Sequence, residues 1–159
     1  HYGNVFPEPE ALLTKFSRLP GLDGNAKMSK SLGNTILLSD EPEEVKSRLK
    51  KAVTDINKVR KGDPGNPDIC LVFSYHKKFN PEEIKEIEIG CRSGELGCFD
   101  CKMNCASKIS TFLKPIIEKR KYYESRIDEV KEILHHGELR GRKVAEETMS
   151  EVHDKMKLG

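Results

Sequence analysis

Apolar positions recur along most of the chain at intervals of three and four, with short runs rich in Gly, Pro, Asn and Asp between the periodic stretches. Val45, Leu49 and Ala52 or Val53 predict a helix with Pro42 in its first turn and Ser39 or Asp40 as its cap. Ile69, Val72, Phe73, His76 and Phe79 lie on overlapping faces of a second helix, opened by Asp68. The run PEEIKEIEIG predicts a third: Asn80 caps it, Pro81 takes its first position, Glu82 and Glu83 sit at its positive end, and Gly90 stops it. From Cys105 onward Ile109, Phe112, Leu113, Ile116, Ile117, Tyr123, Ile127, Val130, Ile133 and Leu134 keep helical spacing. Pro115 is expected to kink or divide that run and Gly137 to end it. A last helix after Gly141 aligns Val144, Thr148, Val152 and Met156 at intervals of four. One apolar stripe per helix predicts a hairpin or small bundle.

The beginning of the chain reads differently. Pro7 and Pro9 disfavour a helix before about residue 10, so residues 1–18 are expected to be extended or turned, with room for a short strand. Thr35–Asp40 is an apolar run with polar ends, compatible with one buried strand. Residues 55–68, DINKVRKGDPGNPD, predict a structured loop. There is no internal repeat.

Composition narrows the class. A chain of 159 residues can hold one domain, or the rim of one domain and a second small one. Charged residues make up 34% and there is no Trp, which describes a helix-rich, highly charged surface. Because 28 basic and 26 acidic residues nearly cancel, any nucleic-acid contact must use local patches. No apolar run reaches the roughly 20 residues that span a bilayer, and no leader opens the chain, so a soluble, cytoplasmic protein without membrane contact is expected. The first residue is His1, in what reads as mid-fold sequence, so the chain is expected to be the C-terminal part of a longer enzyme.

Candidate chemistry concentrates first in AKMSKSLGN at 26–34, which follows the turn-forming run LPGLDGN. Lys27 and Lys30, separated by Met28 and Ser29 and followed by Ser31, make a cationic arm able to follow a polyphosphate as its charge redistributes. KMSKS with GLDG before it and LGN after it resembles the signature loop of class I aminoacyl-tRNA synthetases in the tyrosyl and tryptophanyl branch. AVTDINKVRKGDPGNPDICLVFSYHKKF, at 52–79, is more similar to the tryptophanyl members. The resemblance spans essentially the whole chain. It implies a mainly α chain in which residues 1–40 are the end of a Rossmann-type catalytic domain and 41–159 a helical domain for the tRNA anticodon. It further implies ATP with Mg²⁺ as substrate, and tRNA(Trp) and tryptophan as partners, the tryptophan pocket lying outside this chain. Lys27 and Lys30 become catalytic groups that hold the departing pyrophosphate, the Met28 backbone lies near adenine, and Ser29 and Ser31 donate to phosphate. A homodimer is expected of the full-length enzyme. The family's HIGH-type motif has no counterpart here, so the chain alone is not expected to aminoacylate. His135-His136-Gly137 reads instead as a partner for a helix C-terminus. A tyrosyl enzyme, or a free-standing RNA-binding or iron-sulfur module, are the alternatives.

Five cysteines, an odd number, argue against a disulfide scaffold. Cys91, Cys98 and Cys101 form C-x6-C-x2-C in what reads as a loop, and Cys70 lies about twenty residues before Cys91. Such spacing suits a thiolate-ligated metal, whether iron-sulfur or zinc, against free reduced thiols as the plain alternative. A subset of bacterial tryptophanyl enzymes is similar in this feature and holds a 4Fe-4S cluster. That resemblance implies Cys70, Cys91, Cys98 and Cys101 as ligands, with Cys105 the rival of Cys70. It also implies tRNA contacts near the cluster. Arg92, Phe99 and Lys102 are the leading candidates, and Lys58, Arg60, Lys61, Lys77, Lys78 and Lys108 are further cations.

Overall fold

The computed structural model describes residues 3, 5–14, 18–25 and 27–158. The expectations for His1, Tyr2, Asn4, residues 15–17 and Ala26 fall outside the described residues. Five α-helices follow one another: α1 (Pro42–Lys51), α2 (Leu71–Phe79), α3 (Ile84–Ser93), α4 (Cys98–Glu124) and α5 (Ile127–Met156). Two 3-10 turns, Lys30–Leu32 and Pro67–Ile69, precede α1 and α2. The protein is therefore mainly α, as the periodicity predicts. Among the described residues there is no strand, and the expected strand at Thr35–Asp40 is absent. A strand needs a neighbour to take its backbone groups, and none stands beside this run. Asp40 instead folds back to accept from Leu37 N at 2.9 Å.

Several helix ends differ from expectation, each for a local reason. α1 starts after Glu41, whose N–H donates to Glu44 Oε2 at 2.9 Å in a capping arrangement. Asp40, an expected cap, is buried and pairs with Arg48 Nε at 2.7 Å. Asn66 rather than Asp68 accepts at the head of the second 3-10 turn, from Asp68 N at 3.0 Å, and Cys70 precedes α2. α3 runs through Gly90 and stops at Gly94 (φ +83°), where a Cβ would lie 2.2 Å from the Gly62 carbonyl oxygen. α4 starts seven residues before Cys105, at Cys98, and continues through Pro115. α5 contains Gly137 and Gly141, each costing only about 1 kcal/mol in a helix interior. Salt bridges such as Arg142–Glu138 (2.7 Å) line that helix. His135 and His136 are consequently mid-helix and exposed, not at a helix end.

The chain divides into two compact units, residues 14–119 and residues 1–13 with 120–159. In the first, Leu22, Val45, Leu49, Val72, Tyr75, Cys105, Ile109 and Leu113 form one buried cluster, so the segment before α1 shares a core with α1, α2 and α4. In the second, residues 5–13 have neither helix nor strand, and α5 has no buried residue, with Ile133, Leu134 and Val144 all exposed. Arg126 stacks its guanidinium 3.8 Å from the Tyr122 ring centroid at the junction of α4 and α5.

Glu83, just ahead of α3, draws α2 and α4 together. Its carboxylate accepts from Asn104 Nδ2 (2.8 Å), from Asn80 Nδ2 (3.0 Å) and from Lys108 Nζ. These donors, Asn104 foremost, hold the carboxyl down to about 2 from an ordinary 4.5. As pH falls below 4.5 the unfolded chain takes the proton first, so the contribution is complete above that pH and is lost as pH drops towards about 2. Glu83→Gln is expected to lower the urea midpoint at pH 7, with the gap to the parent closing between pH 4.5 and about 2. A gap that stays constant through that window would contradict the assignment.

Candidate functional site

The 27–34 loop hangs on the side chain of Asn34, which is only 4% exposed. Its Oδ1 accepts from Ser29 N at 2.8 Å, and its Nδ2 donates to Asp23 Oδ1 at 2.9 Å and to Lys27 O at 3.2 Å. One amide thus fixes the backbone on both sides of Met28 and ties it to the turn before the loop. The Asn34 donor is the main reason the Asp23 carboxyl lies below the usual carboxylate range. Gly21 must be glycine for this packing, since a Cβ there would meet Asn34 Nδ2 at 2.2 Å. Leu22 N donates to Asn34 O (2.8 Å), Val53 N to Leu22 O (2.9 Å) and the Tyr75 hydroxyl to Pro20 O (2.6 Å), so the loop's root is anchored to the helical core.

What the anchor leaves outside is the cationic tip. Met28 packs against the core, the Ser29 and Ser31 hydroxyls share a hydrogen bond at 2.8 Å, and Lys27 and Lys30 are exposed. Neither lysine has an ion-pair partner among the described residues. A cavity of about 220 Å³ beside the loop is lined by Leu32, Asn34, Arg48 and Lys51. Asn34 and Asp23 are the positions holding the loop that residue type alone does not reveal, although the flanks GLDG and LGN contain them.

The cysteines come from helix ends, not from a loop. Cys70 immediately precedes α2, Cys91 is in the last turn of α3, and Cys98 and Cys101 open α4. Their thiols lie within electrostatic reach of one another: Cys91 feels Cys70 and Cys98, and Cys101 feels Cys70, Cys91 and Cys98. Burial raises the Cys91 thiol and pushes that of Cys101 up to about 12. Gly65, in the GDPGNPD loop, lies against Cys91: its N–H donates to Cys91 O at 2.8 Å, and a Cβ on it would meet Cys91 Sγ at 2.7 Å. Among the described residues no group of three or more His, Cys, Asp or Glu side chains is arranged to hold a metal ion. Cys105 is wholly buried in the core, one turn beyond Cys101, and burial raises its thiol as well.

The expected nucleic-acid contacts divide into occupied and available groups. Lys58 is a buried side chain, not a surface cation; its Nζ donates to Leu96 O at 3.0 Å and Cys91 O at 3.5 Å, near the negative end of α3. Lys108 is held by Glu83. Arg92 pairs with Asp68 and Glu88, both at 2.9 Å, which raises its already high pKa. Lys102 donates to Lys50 O at 3.0 Å, and Lys50 Nζ stands 6.0 Å from the Phe99 ring centroid. Phe99 itself is 59% exposed and borders a cavity of about 390 Å³ together with Val59, Arg60, Lys61 and Cys98.

This arrangement matches known proteins along its length. Residues 1–114 match the family described as tRNA synthetases class I (W and Y). The tryptophan–tRNA ligase of Aquifex aeolicus is 48% identical over 159 residues, which is 99% of this chain and 40% of that protein. The ligase of Deinococcus radiodurans is 40% identical over 98% of this chain and 48% of its own length. Among solved structures, tryptophanyl-tRNA synthetase from Campylobacter jejuni complexed with ADP and tryptophan superposes with a TM-score of 0.80 at 30% identity, covering 99% of this chain and 49% of that one. The chain thus spans less than half the length of these relatives. On the match over residues 1–114 and the loop geometry it contains, the chain belongs to the tRNA synthetases class I (W and Y).

Proposed function

We infer that the chain is the part of a tryptophan–tRNA ligase that grips the pyrophosphate of ATP and receives the anticodon arm of tRNA(Trp). The observation that carries this reading is the pair of exposed lysines, Lys27 and Lys30, without an ion-pair partner among the described residues, on a backbone pinned by Asn34. In the activation step the tryptophan carboxylate attacks the α-phosphorus of ATP in line, giving tryptophanyl-adenylate and pyrophosphate. Catalysis of such a step is chiefly positioning and stabilisation of developing charge. The two ammonium groups follow the leaving pyrophosphate, Ser29 and Ser31 supply hydroxyl donors, and the backbone at Met28 faces the adenine. ATP brings its own Mg²⁺. Residues 1–40 close a Rossmann-type domain and 41–159 form the tRNA-binding part, in a homodimeric cytoplasmic enzyme. No described helix is long and apolar enough to cross a membrane.

The thiol group belongs to the same reading. Soft thiolates suit an iron-sulfur centre as well as zinc, and the Cys91 and Cys101 thiols each interact with those of Cys70 and Cys98. Cys70, Cys91, Cys98 and Cys101 would hold a 4Fe-4S cluster, which when bound cross-links the starts of α2 and α4 to the end of α3. Cys105, enclosed by the core, is left out. The neighbouring cavity offers an aromatic face on Phe99 and cations at Arg60 and Lys61, a combination that suits an unstacked base and its phosphate.

Three measurements test these assignments. In the full-length enzyme, Lys27→Ala or Lys30→Ala is expected to cut kcat for ATP–pyrophosphate exchange about 100-fold with the KM for tryptophan unchanged; exchange supported by tyrosine instead would reassign the substrate. Anaerobically purified protein is expected to be brown, with absorption near roughly 400 nm that Cys98→Ser abolishes, and a colourless, zinc-containing protein would sink the cluster. Phe99→Ala is expected to weaken tRNA binding by about 1–3 kcal/mol in filter-binding assays, while unchanged affinity would remove Phe99 from the interface.

A further inference from the structure

The two lysines of the 27–34 loop are carried by a backbone with little regular structure of its own. Lys30 opens a single 3-10 turn, closed by Leu32 N on Ser29 O and Gly33 N on Lys30 O, both at 3.2 Å. Lys27 lies before that turn. So short a turn has poor hydrogen-bond geometry and does not by itself fix where the two side chains emerge.

The Asn34 amide supplies what the turn lacks. Its Oδ1 accepts from Ser29 N, the residue before Lys30, and its Nδ2 donates to the carbonyl of Lys27 itself. The second Nδ2 proton goes to Asp23 Oδ1. A carbonyl and a carboxylate only accept and a backbone N–H only donates, so turning the amide over would break all three bonds. Asp23 is held in turn, its Oδ1 accepting from Asn25 N at 3.0 Å and its Oδ2 from Asn25 Nδ2 at 2.5 Å. A buried amide that merely satisfied a turn would need none of this placement. Here the bonds bracket Met28, between the two cations, and their outer support lies in the preceding turn.

We propose that Asn34 is a positioning residue for the activation step, braced by Asp23: it sets the backbone from which Lys27 and Lys30 reach the pyrophosphate. The inference rests on the reading of those lysines as the pyrophosphate grip and adds the group through which they are aimed. An arm of two flexible side chains stabilises a leaving group only if its root is fixed beforehand, since each lysine otherwise loses part of its charge stabilisation to reorganisation. Asn34 touches neither substrate nor reacting atoms and acts through the lysines alone.

That last condition is what ATP–pyrophosphate exchange by the full-length enzyme tests. Asn34→Ala is expected to lower kcat on the order of 10–100-fold with the KM for tryptophan unchanged. Asn34→Asp keeps the size of the side chain and the acceptor for Ser29 N, but it loses both donors and sets a carboxylate against Asp23 and the Lys27 carbonyl. It is expected to be the more damaging of the two, and the reverse order, which space-filling predicts, overturns the proposal. In a Lys27→Ala, Lys30→Ala background, Asn34→Ala is expected to change the residual kcat about 2-fold or less; an undiminished loss there shows that the amide acts otherwise than through the lysines and overturns the proposal. Should Asn34→Ala fail to fold by circular dichroism, Asp23→Ala, at an exposed turn position, carries the same cycle with the same expected and contrary results. A fully active Asn34→Ala beside a crippled lysine variant overturns this proposal alone. A lysine variant that exchanges at the parental rate overturns the pyrophosphate reading and this proposal with it.

Discussion

A buried hydroxyl must find an acceptor, and the one on Tyr75 finds Pro20 O at 2.6 Å. The ring is wholly enclosed, so the bond forms in surroundings of low polarity where it is strong and its loss is expensive. That contact joins the root of the lysine loop to the middle of α2. Cys70 immediately precedes the same helix, and His76 follows Tyr75 directly. The lysine loop and the first of the clustered cysteines therefore both attach to α2, although more than fifty positions of sequence separate Pro20 from Tyr75.

The helices were legible because each needs an apolar stripe, and stripes have a period. Val45 and Leu49, or Ile109 and Leu113, are read and then found buried. Helix ends were less legible because they depend on partners that periodicity does not contain. Gly90 looked like a stop, but it lies inside the helix with Leu96, from beyond the helix end, packed against it; Gly94 is the stop, in a left-handed conformation where a Cβ would meet the Gly62 carbonyl oxygen. The strand at Thr35–Asp40 failed for the same reason in reverse: an apolar run marks burial, and only a neighbouring strand would make it β.

In the loop, the string KMSKS carried the chemistry and hid the mechanics. Two lysines mark a candidate anion site by residue type alone. Asn34 and Asp23 act through bonds reaching five, seven and eleven positions along the chain, a geometry no periodic template captures. Cations show a similar division. Lys58 reads as one more exposed charge in NKVRK, yet it is buried, donating to the carbonyls of Cys91 in the last turn of α3 and of Leu96 beyond it, while Arg60 and Lys61 beside it remain at the surface. A near-neutral total thus conceals cations that build the structure and cations that face outward.

The proposed thiolate-ligated centre would join folding and ligand binding most closely. In the metal-free chain burial raises Cys91 and Cys101, so both are protonated at neutral pH. Loading a thiolate-ligated centre must expel those protons and leave negative charge among apolar neighbours. Lys58 is the positive side chain that opposes the rise at both sulfurs, and it is held there by the carbonyls of Cys91 and Leu96. Its burial, which removes it from any nucleic-acid surface, then fits the proposed centre: an ammonium fixed beside the thiols would compensate charge that such a centre introduces. The loop carrying Lys58 and Gly65 also closes over Cys91, so the segment that supplies the charge forms one wall of the site.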